Sequence, residues 1–127
     1  MLTTLSICEQ AYRATAEEQD DTIIWLTHML RKAEVDTGLL LRGGAVNYAN
    51  KAQQAPPLVF GEWEQRHPAH LARDLERFMA EGGRVYVSDE DLARYALAAD
   101  ELIDGVQVVD WKGVVGLIAE HDVVMNW

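Results

Sequence analysis

Cysteine is all but missing from the 127-residue chain, with Cys8 the only one. One thiol closes no internal disulfide and builds no cysteine-based metal cage. Such usage fits a reducing compartment, so the cytoplasm is the expected location. Positive charge is also scarce. There are 11 Lys and Arg against 21 Asp and Glu, a net charge of −10. That balance repels phosphate backbones and anionic lipid, so neither nucleic acid nor membrane is an expected partner. Long apolar runs are lacking too. The stretch 23–30 is broken by Thr27 and His28 and is too short to span a bilayer. The first residues carry no basic region ahead of an apolar one, so no signal peptide is expected. Repeats, linkers and low-complexity tracts are missing, which gives one domain over 1–127.

What is present is an alternation of two periodicities. Residues 2–8 are β-branched and apolar and read as a first strand. Thr15 and Glu18 make a capping box that opens a helix to about Ala33, with Ile23, Leu26 and Leu30 on one face. A second strand covers 38–42 and is followed by a short helix over 45–54. Residues 58–65 form an aromatic-rich loop with Phe60 and Trp63, and Pro68 opens another helix that runs to Gly82-Gly83. A third strand at 84–87, a helix from Ser88 to about Ala98, a fourth strand at 106–109, a helix over 111–120 capped by Asp110 and a last strand at 123–125 complete the pattern. Strands alternating with helices predict an α/β fold. The expected form is a three-layer α/β/α sandwich with a five-stranded, mostly parallel sheet of flavodoxin-like kind.

In such a sheet ligands bind outside the carboxyl ends of the strands. The residues to weigh there are Cys8, Arg42, Asn47, Tyr48, Ser88 and Asp89. The first and third strands usually flank the crevice, which would place Cys8 and Ser88 on one rim. Cys8 is the one soft nucleophile and could carry sulfur if a cation such as Arg13 or Arg42 lowered its pKa. The other reading is a small buried hydrophobe, which free cysteine usually is. Ser88 lacks a nucleophile elbow, and a helix-capping role accounts for it. His67 and His70 are too few for a metal site, and no metal is expected. No phosphate-binding or dinucleotide fingerprint is present, and the segment after the first strand lacks the hydroxyls and glycines that flavin mononucleotide wants, so no cofactor is expected. A hydrolase finds no nucleophile–base pair. The apolar stretch 57–63 is either an interface or a lid on the core.

Two segments resemble a known family. Leu41-Arg42-Gly43-Gly44-Ala45-Val46-Asn47-Tyr48-Ala49-Asn50 resembles the R-x-G-V-x-x-A-N segment after the second strand of DsrE/TusD-type proteins. The C-terminal quarter, from Glu101-Leu102-Ile103-Asp104-Gly105-Val106 through His121-Asp122-Val123-Val124, is similar to the family's ending, and Trp127 to its aromatic close. The resemblance is to the DsrE/DsrF/DsrH group of sulfur-relay proteins, which includes TusB, TusC and TusD. It implies a trimer or hexamer, homomeric or mixed, with small sulfur-carrier proteins as partners. Carrier members hold sulfur on a cysteine just after the third strand. Here that stretch reads Val87-Ser88-Asp89-Glu90-Asp91-Leu92, with no cysteine. The resemblance therefore implies an accessory or scaffold subunit, or a carrier through Cys8. A binding module of the same fold, without sulfur chemistry, is the other reading.

Overall fold

A computed structural model describes residues 1–12 and 20–127. Strand β1 (Thr3–Cys8) leads to helix α1 (Thr22–Lys32) and strand β2 (Asp36–Leu41). A 3-10 helix (Gly43–Ala49) and a hairpin of β3 (Val59–Phe60) and β4 (Trp63–Glu64) follow. Then come α2 (Leu71–Ala80), β5 (Arg84–Ser88), α3 (Asp89–Arg94), β6 (Gln107–Val109), α4 (Trp111–Glu120) and β7 (Val123–Asn126).

Five strands form one sheet in the order β6-β5-β2-β1-β7, every pair parallel. The order explains the layers. Three crossovers step the same way across the sheet, and right-handed connections therefore put α1, α2 and α3 on one face. The fourth returns from β6 to β7, which puts α4 alone on the other. The α/β sandwich read from the sequence is thus present. Its strand order, however, separates β1 from β5 by β2, so Cys8 and Ser88 do not flank one crevice.

The two cores follow from that layering. Leu39, Leu41, Val85 and Val87 meet Ile23, Ile24, Leu75 and Phe78 under the three-helix face. Leu5, Ile7, Leu40 and Tyr86 meet only Val114 and Leu117 of α4. Gly83 has no room for a side chain, since a Cβ there would lie 2.4 Å from the Phe78 ring.

Three local expectations change. The capping box at Thr15 lies outside the described residues, and the helix does not run unbroken through 20–21. Asp21 caps α1 instead, accepting from the Ile23 and Ile24 amides at 2.9 and 3.4 Å. The segment 58–65 is a hairpin, not a plain loop, with Gly61 at φ +61° in its turn. The helix after Ser88 ends at Arg94, not near Ala98.

Candidate functional site

The carboxyl ends of β1 and β2 are tied together by the backbone. The Arg42 amide donates to the Cys8 carbonyl at 2.9 Å. Gly43 turns the chain at φ +52°, where a Cβ would approach the Glu9 carbonyl oxygen to 2.9 Å. Only glycine fits both demands.

Cys8 sits beneath this junction. It shares its side of β1 with Thr4 and Ser6, facing the three-helix layer, and is 0 % exposed. Its thiol donates to the Gln10 carbonyl at 3.5 Å. Arg42 lies nearby but turns its guanidinium to Glu9, with Nη1 3.5 Å from Oε1. Both groups are partly exposed, so the pair contributes little stability. Arg13 lies outside the described residues.

Tyr48 is the organising residue of this edge. It is fully buried, donates its hydroxyl to Asp21 Oδ2 at 2.6 Å and accepts from the Tyr12 amide. Burial and the Asp21 hydrogen bond push its pKa far above the ordinary tyrosine value. The Tyr12 ring packs edge-on against it, with centroids 5.0 Å apart. The loop after β1, the 3-10 helix and the start of α1 are thereby locked over Cys8. The Tyr48 hydroxyl is engaged on both sides, and the Asn47 amide nitrogen donates to the Gly44 carbonyl at 2.9 Å. Asp21, expected inside a helix, is its N-cap. The signal was there, since Asp21-Thr22 precedes the first apolar residue of the stripe.

Ser88 lies elsewhere. It ends β5 two strands from Cys8, on the opposite face of the sheet with Tyr86, and is buried. It stands at the N-cap of α3, yet its hydroxyl makes no capping bond. Asp89 is exposed in the first turn of α3. His67 is exposed, and His70 caps α2, its Nδ1 accepting from the Arg73 amide at 3.2 Å. Among the described residues no three His, Cys, Asp or Glu side chains could share a metal. The hairpin exposes Phe60 and Trp63, whose rings stack 5.9 Å apart. The segment is therefore a surface patch rather than a lid.

Three open recesses lie away from this edge. One of about 830 Å³ is lined by Trp63, Arg66, His67 and neighbours of the hairpin. The next, of about 470 Å³, runs from Arg66 to Arg77 along the start of α2. A third, of about 430 Å³, lies between α1 and α2 around Trp25, Asp74 and the His28–Glu81 contact of 2.9 Å.

This α/β fold, a parallel sheet with one returning crossover, is similar to that of solved proteins. The crystal structure of the ychN protein from E. coli matches it with a TM-score of 0.73 at 17 % identity, over 99 % of this chain and 97 % of that one. The structure of MTH1491, a protein of unknown function from Methanobacterium thermoautotrophicum, matches with a TM-score of 0.70 at 13 % identity over the full length of both. At these identities the likeness is one of fold. No family model and no curated protein matches the chain.

Proposed function

We propose that this protein is a cytoplasmic accessory subunit of intracellular sulfur trafficking, one that positions partners and carries no sulfur itself. The observation behind this reading is the burial of Cys8. A thiol with no exposed surface meets no persulfide donor, and the place where DsrE-type carriers hold sulfur is occupied by Val87 and Ser88. The locked Tyr12–Tyr48–Asp21 cluster over Cys8 favours the scaffold reading over a carrier through Cys8.

A scaffold needs a surface. Helix α4 supports one, because it is apolar on two sides. Val114 and Leu117 face the sheet, while Trp111, Val115 and Ile118 form an exposed stripe at helical spacing. With the Phe60–Trp63 patch it gives two contact areas for a homo- or hetero-oligomer, a trimer or hexamer being expected.

The test is an intact-mass measurement after incubation of the reduced protein with a persulfide donor, beside Cys8→Ala. No gain of sulfur, with Cys8 alkylated only after denaturant is added, supports the accessory reading. One added sulfur on the parent alone overturns it. Light scattering after size exclusion tests assembly, and a monomer at all concentrations with carrier proteins present removes the scaffold role.

A further inference from the structure

The recess at the start of α2 carries an inference that goes beyond sulfur trafficking. The chain is strongly acidic, yet Arg66, Arg73 and Arg77 all line this one concavity of about 470 Å³, together with His67 and His70. Arg73 and Arg77 are four residues apart on α2 and so share a face. Among the described residues the ion pairs are made by His28, Arg42, Arg84 and Arg94, and none of the three arginines of the recess takes part in one. A single carboxylate, Asp74, lines the recess with them. It feels Arg77 and His70, but burial outweighs both and raises its pKa. Glu62 and Glu64 belong to the adjoining recess, which shares Arg66. The ten-residue helix α2 adds the positive end of its dipole, since Ala69 and His70 form part of the same wall.

Arg77 also borders the recess that holds Asp20 and Glu81, but within this concavity three guanidinium groups face one carboxylate, a positive excess that an anion balances. Guanidinium forks match the oxygens of a phosphate in bidentate fashion. The volume suits a small molecule. The net charge of −10 acts against an extended polyanion such as RNA, which would carry its remaining charges across the acidic surface. We propose that the recess bounded by Arg66, Arg73 and Arg77 binds the phosphate group of a small phosphate-bearing molecule.

Isothermal titration calorimetry with inorganic pyrophosphate tests this on the full chain, with citrate as a carboxylate of comparable charge. Pyrophosphate should bind, weaken as salt is raised, and lose at least tenfold in affinity in the Arg73→Gln/Arg77→Gln variant. Both arginines are exposed, so the variant should keep its circular dichroism spectrum. Arg66→Gln, on the hairpin side, should weaken binding independently. Pyrophosphate binding that is absent, or unchanged in all these variants, overturns the proposal, as does citrate binding equally well. None of these readings depends on whether Cys8 accepts sulfur, so this site and the accessory role stand or fall separately.

Discussion

The two faces of the sheet are built to different standards. Three α-helices and a 3-10 helix cover one face and seal a core that includes Phe78, Leu75 and Tyr48 at 0–1 % exposure. One helix covers the other, and its inward residues Val114 and Leu117 stay 7–8 % exposed. The difference comes from the order of the strands and not from their composition, because β1 turns its more polar side, with Thr4 and Ser6, to the better covered face. A face that receives one crossover out of four is left with apolar surface to cover, and the outer stripe of α4 adds to it.

The largest test of this contrast is Phe78→Ala. The ring is 1 % exposed and fills the space above Gly83, so its removal should cost about 3–5 kcal/mol, read from urea unfolding. Tyr48→Phe comes next. It keeps the ring but removes the hydroxyl that bonds Asp21 Oδ2 and the Tyr12 amide, at a cost of about 1.5–3 kcal/mol. The same variant should speed alkylation of Cys8 in native protein, and an unchanged rate would mean that the cluster does not shield the thiol. Leu117→Ala on the thin face should cost only about 2 kcal/mol, the low end for its type, since solvent already reaches the site. A loss as large as that of Phe78→Ala would remove the contrast.

The smallest effect concerns Asp122. Its carboxylate accepts from the Thr3 amide at 2.9 Å and the Thr3 hydroxyl at 3.1 Å, and these bonds lower its pKa. A carboxyl with a depressed folded-state pKa gives stability that is complete above the ordinary carboxylate range. That stability is lost as pH falls through the folded value. The difference in urea midpoint between the parent and Asp122→Asn should therefore be present at neutral pH and vanish in acid. A difference that persists in acid would point to a role other than charge.

Most of the elements were legible in the chain. The strands stand out as β-branched or apolar runs, and the α4 boundary follows from Asp110, whose side chain accepts from the Gly113 amide at 2.8 Å. The site was legible only in part. Thr4-Leu5-Ser6-Ile7-Cys8 alternates like a half-exposed strand, which sets Cys8 on the polar side. That side is buried, because β1 is covered on both faces, and the Thr4 and Ser6 hydroxyls lie in the interior with no partner among the described residues. Alternation reports polarity, and burial depends on which helices cross over. Strand order is likewise not local information. The helix-forming stretches between strands do not say which neighbour each strand will take, so the separation of Ser88 from Cys8 could not be read from spacing. Arg73 and Arg77 share a helix face that their spacing shows, whereas Arg66 joins them only in the folded chain.

The pairing of β1 with β7 also sets a schedule. Thr3 and Asp122 stand 119 residues apart and end up bonded side by side. At ribosomal speeds that gap lasts on the order of ten seconds. During that interval β2 and β5 can already line up on one flank of β1, while the other flank and the Leu5–Ile7 side stay uncovered. The nascent chain thus presents an open strand edge next to apolar side chains until α4 and β7 emerge.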